Sequence, residues 1–539
     1  MHRLPAAVLL AALLVPPATA EAGPERPNIL IILTDDQRPT DTMHVMPETL
    51  QRFGAEGVFY PNAVATTPLC CPGRAGLMTG QFAHNNGVRT NGDVEHLGNH
   101  ASTLQRHLDD AGYQTGMVGK FLNQWKVEDD PPHWDRWSMM QPGPDYFQTE
   151  WNIDGVQQTV TDYATDFTAE RATHYLDVFN TPVNDDTPWF MLASTYAPHA
   201  PYQPAPEYAS VDVGVWPGNP AVFEKNKRDK PPSIRGRKRS LAQGQAIRDQ
   251  QLRMLMSVDD LVENVFDRLD ALDELDDTLA FFLSDNGFLW SDHGLGGKKE
   301  AYLPSIGIPF FMRWPGVVPA GGTDPRLVAN IDVFSTALDA AGESAAVDGM
   351  SLLQPRARTK ILTEAWNRRH QGGWASILTP RYQYIERYRN DNVTVKFREL
   401  YRVIEDPWQL RNLLGDRTKK NDSDRKGLAR ELRAARTCGG AGRTSCAAIL
   451  TEPVALCTRR ETFRGDHAVG TPGPDRLRGG RGRSLLCGFG GRDRLHGGRG
   501  NDLLLGGPGP DMLIGGPGRD RCVGGSGRDR ARGCERGKR

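Results

Sequence analysis

Cysteine is scarce in this chain, eight in 539 residues, and only Cys70 and Cys71 precede Cys438. The two stand side by side in "TTPLCCPGRAGLMTG", with no base beside them in sequence to make either an ordinary thiolate nucleophile. Vicinal cysteines rarely bridge each other without strain, which argues against a local disulfide. Long apolar runs are lacking too: after Ala6–Val15 no stretch approaches the ~20 apolar residues of a membrane helix, so no transmembrane segment is expected. Nor is there an overall excess of one charge. The formal net charge is −1, and no nucleic-acid partner is expected from it.

Ala6–Val15 follows His2 and Arg3 and precedes the small-residue site Ala18-Thr19-Ala20, the pattern of a secretory signal. Residues 1–20 are therefore expected to be removed, and the protein to be secreted or extracytoplasmic, with a bacterial cell envelope as one setting. In that oxidising place Cys438, Cys446, Cys457, Cys487, Cys522 and Cys534 form an even set compatible with three disulfides of open pairing.

Charge is unevenly spread along the chain. Residues 470–539 carry 15 Lys+Arg against 7 Asp+Glu, a basic tail behind a mildly acidic body. From Gly470 the tail falls into nine-residue units, clearest in "GGRGNDLLL", "GGPGPDMLI" and "GGPGRDRCV". Aspartate recurs at the sixth place (Asp475, Asp493, Asp502, Asp511, Asp520, Asp529; Ser484 is the exception) and an apolar residue at the eighth. This is the pattern of a parallel β-roll that binds calcium between turns. Its positive charge suits a polyanionic glycan or cell envelope.

Residues 27–415 alternate strand-like runs with helical patterns. "NILIILTDD" and "TLAFFLSDNG" read as buried strands, and Asp249–Leu272 sets Leu255, Val258, Val262, Val265, Leu269 and Leu272 on one helical face. Buried strands separated by helices argue for an α/β sheet, whose ligands gather beyond the carboxyl ends of the strands. Asp35, Asp36, Asp285 and Asn286 fall at those ends. Adjacent carboxylates there need a cation or donors to offset their repulsion. Three carboxylates and an amide carbonyl, with no histidine at either strand end, suit Ca2+ or Mg2+ and not Zn2+.

"CCPGRAGLMTG" resembles the C-x-P-x-R…T-G signature of the type I sulfatases of the alkaline phosphatase superfamily, in which the first cysteine is converted to formylglycine. "PNILIILTDDQ", "GYQTGMVGKFLN", "YAPHAP", "FFLSDNG" and "HGLGGKKEAY" follow in that family's order, and "ELYRVIEDPWQLRNL" is similar to its C-terminal subdomain. "LCCPGRAGLMTGQFAHNNGV" and "GKFLN" look most like the N-acetylglucosamine-6-sulfatase branch.

The resemblance implies an alkaline phosphatase-like fold: a central mixed sheet flanked by helices (27–345), a small antiparallel subdomain (346–436), a cysteine-containing connector (437–469) and an RTX-like repeat (470–534). It implies that Cys70 is matured by a formylglycine-generating enzyme to an aldehyde. One hydroxyl of the aldehyde hydrate attacks sulfur, and loss of the other's proton expels sulfate. Asp35, Asp36, the residue made from Cys70, Asp285 and Asn286 would hold one Ca2+. Arg74 would hold the deprotonated hydrate, Lys120 and Lys298 the sulfate oxygens, and His199 would contact the ester and protonate the leaving group. Lys298 is preferred to Lys299 because it stands four residues before Tyr302. The substrate would be a sulfated carbohydrate or a small sulfate ester.

Three positions depart from the family pattern. Gly73 replaces the usual serine, Leu303 the acid that commonly follows the tyrosine, and Leu122 the expected histidine, whose contact passes to Asn123 or His84. The basic loop Lys225–Arg239 either lines the mouth of the site or is only solvated. Two other readings stay open: a formylglycine-dependent phosphodiesterase or phosphonate hydrolase on the same fold, and an unmodified calcium- and glycan-binding protein without catalysis.

Overall fold

The computed structural model describes residues 26–539 apart from 99, 182–186, 355–357, 367–371, 416–424, 440–445, 447–449, 451–465, 470–474, 489–491, 507–509, 525–528 and 539. The expected export signal, residues 1–20, lies outside the described residues. So does Cys457.

In Asn28–Thr34 (β1), Ile29, Ile31 and Leu33 face one core and Leu30 and Ile32 another. A strand apolar on both faces belongs in the middle of a covered sheet. The remaining strands of that sheet are β2 (Val58–Phe59), β3 (Gln114–Lys120), β4 (Arg136–Gln141), β5 (Thr149–Ile153), β6 (Val156–Val160), β7 (Trp189–Ser194), β8 (Thr278–Ser284), β9 (Phe310–Arg313) and β10 (Gly322–Thr323). Their spatial order is β10-β2-β9-β8-β1-β7-β3-β4-β5-β6. The strands from β8 to β4 run parallel, while β9, β5 and β6 pair antiparallel. The sheet is therefore mixed.

One face is covered by α1 (Cys70–Thr79), α2 (Leu104–Asp110) and α5 (Asp332–Ala340), the other by α3 (Ala164–Phe179) and α4 (Leu241–Ala271). α4 starts at a capping box in which Ser240 and Gln243 satisfy each other's backbone N–H groups. It buries Leu255, Val258, Val262, Val265 and Leu269, and ends before Leu272, which packs only partly.

A second, antiparallel sheet follows: β11 (Ile361–Ala365), β12 (Trp374–Leu378), β13 (Gln383–Tyr388) and β14 (Val395–Tyr401), with α6 (Arg425–Arg436) packed on it. The described residues of the tail form nine short strands: β15 (Asp466–Val469), β16 (Arg476–Arg478), β17 (Ser484–Cys487), β18 (Arg494–His496), β19 (Leu503–Leu505), β20 (Met512–Ile514), β21 (Arg521–Val523), β22 (Arg530–Arg532) and β23 (Arg536–Lys538). They form two parallel sheets, β15-β17-β19-β21-β23 and β16-β18-β20-β22, and Leu486, Leu495, Leu504, Leu513 and Cys522 fill the space inside. One nine-residue unit contributes one strand, so in-register partners from β15 to β22 are eighteen residues apart, while β21 and β23 pair at fifteen.

Cys438 pairs with Cys446 and Cys522 with Cys534, and Cys487 is also disulfide-bonded. Cys70 and Cys71 are free thiols, both buried. No helix among the described residues is long and apolar enough to cross a membrane.

Candidate active site

The chain leaves extended Leu69 and enters α1 at Cys70, so the thiol stands at the first turn of a fully buried helix. Pro72 is tolerated there because its missing N–H would have no intrahelical partner anyway. Gly73 has a different reason. A Cβ at this position would lie 2.5 Å from the backbone oxygen of Asp285, so the serine of the family pattern would push α1 off the end of β8. Gly119 turns β3 with φ +90, and a Cβ there would meet the Ser194 oxygen at 2.0 Å. The next residue, Lys120, is thereby delivered buried into the site.

The nine residues singled out by sequence converge at the carboxyl ends of β1, β3, β7 and β8. Cys70 Sγ donates to Asp35 Oδ1 at 3.3 Å and receives Lys298 Nζ at 2.7 Å. Lys298 also pairs with Asp36, and Lys120 with Asp35. Arg74 donates through Nε to Asp285 Oδ2 at 2.7 Å and through Nη1 to Ser194 Oγ at 2.6 Å and the Lys120 carbonyl at 2.8 Å. Ser194 was not visible as a site residue in sequence; its only signal is its place at the last position of β7. His199 Nδ1 faces the Ala200 carbonyl at 2.5 Å. A carbonyl can only accept, so Nδ1 carries the proton and Nε2 faces Asp36, 3.8 Å away. Lys299, by contrast, is exposed.

Three buried carboxylates thus sit among Arg74, Lys120 and Lys298, and the charges balance in close quarters. Burial raises the Asp35 carboxyl, but Lys120, His199, Lys298 and Arg74 outweigh it and hold the group well below the usual range. Asp285 is raised by burial and by Asp35, against the pull of Arg74. The Cys70 thiol is pushed up to about 12 by burial and by Asp35, which overcome both lysines. It is therefore protonated at neutral pH, and the unmodified side chain is a poor nucleophile.

Ligand atoms of Asp35, Asp36, Cys70 and Asp285 lie within 4.8 Å of one another. Asn286 Nδ2 donates to Asp36 at 2.6 Å, which leaves its Oδ1 buried and without a hydrogen-bond partner. An orphaned amide oxygen beside three carboxylates is the chemistry of a hard-cation site, and these residues fit Ca2+.

Of the two replacements expected for the family histidine, His84 is engaged elsewhere. Its Nδ1 is 2.8 Å from Glu364, its Nε2 3.3 Å from the Cys438 carbonyl. Leu122 is a core residue, and Asn123 Oδ1 is buried without a partner while the Asn123 carbonyl receives the Cys71 thiol.

A cleft of about 1140 Å³ opens over Lys298. Arg237, Lys238, Arg239, Lys299, Arg387 and Lys396 line it, with Glu300 as the acidic side chain among the described lining residues and Trp366 and Trp374 as aromatic walls. The basic loop is thus divided. Its end, Arg237–Arg239, lines the cleft, whereas Lys230 is fully buried and pairs with Glu224 and Asp229. Arg387, Lys396 and both tryptophans come from the second sheet or its edge, where no motif marked them.

In the tail Asp493, Asp502, Asp511, Asp520 and Asp529 each accept, through Oδ1, the backbone N–H eighteen residues earlier, as Asp511 does from Asp493 and Asp520 from Asp502. The other oxygens of Asp493, Asp511 and Asp520 are buried without hydrogen-bond partners among the described residues. Burial, aided by neighbouring aspartates, raises Asp493 to about 6 and Asp511 to about 7. These carboxylates fit calcium. In calcium-free buffer they also bind more protons folded than unfolded, so roll stability is expected to fall as pH rises from about 4 to about 7. Thermal melts in chelator at the two ends of that range check this; equal or higher stability at the upper end would count against buried, cation-free carboxylates.

A family model described as "Sulfatase" matches residues 27–343, one described as "N-sulphoglucosamine sulphohydrolase, C-terminal" matches 291–437, and the "RTX calcium-binding nonapeptide repeat" matches 469–504 and 500–531. Human N-acetylglucosamine-6-sulfatase is 32% identical over 365 residues, 62% of this chain and 64% of that one. N-acetylglucosamine-6-O-sulfatase of Bacteroides thetaiotaomicron is 25% identical over 504 residues, 76% of this chain and 86% of the other. The chain spans between 31% and 64% of the length of the animal sulfatases it matches. A solved structure described as a complex with its substrate D-glucosamine-2-N,6-O-disulfate shares the fold at a TM-score of 0.67 and 22% identity, over 76% of this chain and 97% of the other.

Proposed function

As the chain belongs to the sulfatase family, we propose that it is an exported hydrolase of sulfuric esters, acting on sulfated sugars of the N-acetylglucosamine-6-sulfate kind through a formylglycine made from Cys70. The observation that carries this reading is Cys70 at the first turn of buried α1, touched by Lys298 and Asp35 in a ring of three carboxylates and three cations.

The aldehyde hydrate supplies an oxygen nucleophile in place of a thiol, and Ca2+ held by Asp35, Asp36, Asp285, Asn286 and residue 70 supplies a fixed positive charge beside it. The chain's own residues do the rest. Arg74, fixed by Asp285 and Ser194, presents a rigid guanidinium to an oxyanion at position 70. Lys120 and Lys298 carry the charge that receives ester oxygens. His199, with its Nδ1–H held by the Ala200 carbonyl, would give the proton from Nε2 in its doubly protonated, imidazolium form to the departing sugar oxygen, leaving the neutral ring with its proton on Nδ1.

The cleft supports a polyanionic sugar as substrate, because cations converging on a concave, low-dielectric wall concentrate anionic ligands. Neutralising two of them (Arg237→Gln with Lys238→Gln) is expected to raise KM for a polysulfated oligosaccharide about 5- to 10-fold at low salt while changing kcat/KM for a small aryl sulfate less than about twofold. Aryl sulfate, phosphate diester and phosphonate ester assayed side by side test the reaction class. Sulfate is expected to be turned over at least about 10²-fold faster, and a preference for the phosphorus esters would move the assignment to the phosphodiesterase reading.

A further inference from the structure

The tail presents a surface that the catalytic reading leaves unused. Leu477, Leu486, Leu495, Leu504, Leu513 and Cys522 point inward, so the residues on either side of each point outward. On the sheet β15-β17-β19-β21-β23 the outward positions Leu485 and Cys487 are 0% and 1% exposed, with Leu503 and Leu505 packed against them, so the β17–β19 part of this face is covered, while Arg521 of β21 is exposed.

The sheet β16-β18-β20-β22 differs. Its outward residues form two in-register columns, Arg476, Arg494, Met512, Arg530 and Arg478, His496, Ile514, Arg532. All five arginines are exposed. Neighbouring strands are about 4.8 Å apart and alternate residues along a strand about 7 Å, so the guanidiniums stand on a regular grid. Cations so close repel one another. The roll's carboxylates do little to offset this at the surface, since Asp493 and Asp511 are buried in its turns with Oδ1 committed to backbone N–H groups. Positive charge therefore dominates the outside of this sheet.

We propose that this arginine face is a docking surface for a sulfated polysaccharide, separate from the catalytic cleft, which holds the protein on polymeric substrate. Closely spaced fixed cations attract sulfate and carboxylate oxygens, and a flat grid of them matches a ligand that repeats its charge. A lipid surface is a poorer match because stable interfacial docking needs an apolar face to insert, and here Met512 and Ile514 are half-buried between the arginines. That the bound polymer is also substrate rests on the proposed activity, whereas the docking itself is tested by binding alone, so the two can fail separately.

The test compares three full-length proteins on immobilised heparin: the natural chain, one with Arg476, Arg478, Arg494, Arg530 and Arg532 all changed to Gln, and one with the same five changed to Lys. The Gln protein is expected to bind about tenfold or more weakly and to elute at lower salt, and the Lys protein to stay within about threefold of the natural chain. Turnover of a small aryl sulfate should be the same in all three. Unchanged heparin retention by the Gln protein would overturn the proposal. So would equal loss in the Lys protein, since charge would then not be what is recognised. Binding of the natural chain to phosphatidylserine vesicles in preference to heparin would overturn it in favour of a membrane partner.

Discussion

Cys70→Ala is expected to lower kcat/KM on an aryl sulfate by on the order of 10³-fold or more, because it removes the atom from which the nucleophile is made. Cys71→Ser should keep turnover within about threefold. The two thiols are neighbours in sequence but not in environment. Cys70 Sγ lies between Lys298 and Asp35, whereas Cys71 packs in the core beneath the sheet and donates to the Asn123 carbonyl at 3.8 Å, away from both. Cys70→Ser tests the point further. It supplies one hydroxyl on a side chain of nearly the same size, yet a single serine oxygen has no second hydroxyl through which to expel sulfate, so trapping of a sulfated protein without turnover is the expected outcome. Equal turnover by Cys70→Ala and the natural protein would remove residue 70 from the chemistry.

Asp285→Ala is expected to cost on the order of 10²-fold or more in turnover and about 3–5 kcal/mol in stability. The stability loss comes from Arg74, which is buried and spends its Nε on Asp285. Removing the carboxylate leaves a guanidinium charge in the interior with its nearest remaining carboxylate contact at Asp35, 3.5 Å from Nη2. The activity loss comes from the same carboxylate's place in the oxygen cluster. The natural protein should lose turnover in chelator and regain it with added Ca2+, and Asp285→Ala should need far more Ca2+ or fail to respond. Asp285→Asn, which keeps one oxygen and the shape, should fall between them. Full turnover by Asp285→Ala in chelator would show the cluster is not a cation site.

Much of the site was legible because its supports are fully buried parallel strands. β1 and β8 bury both faces, so their sequences are unbroken apolar runs, and the carboxylates that follow mark the strand ends. The roll was legible for another reason: each unit must repeat the same glycines, aspartate and apolar residue to stack on its neighbours. Residues whose role depends on long-range packing were not legible. Ser194 became part of the site only when β7 came to lie beside β3 and brought its hydroxyl to Arg74. Arg387 and Trp374 belong to the second sheet, more than seventy residues after Lys298, and nothing local to them announces a cleft. Gly73 read as a departure from a motif, and the carbonyl of Asp285 that leaves no room for a side chain became visible only with the helix in place. The edge strand β6 is mostly exposed, so it lacks the apolar run that made β1 plain.

The central claim is that residue 70 works as an aldehyde. Mass spectrometry of the proteolytic peptide that spans it, taken from protein whose sulfate-ester turnover has just been measured, tests this most directly. The expected result is a residue 70 with the mass of formylglycine, in a proportion that follows specific activity from one preparation to the next, beside an unchanged Cys71. Recovery of an intact Cys70 thiol throughout a fully active preparation would contradict it.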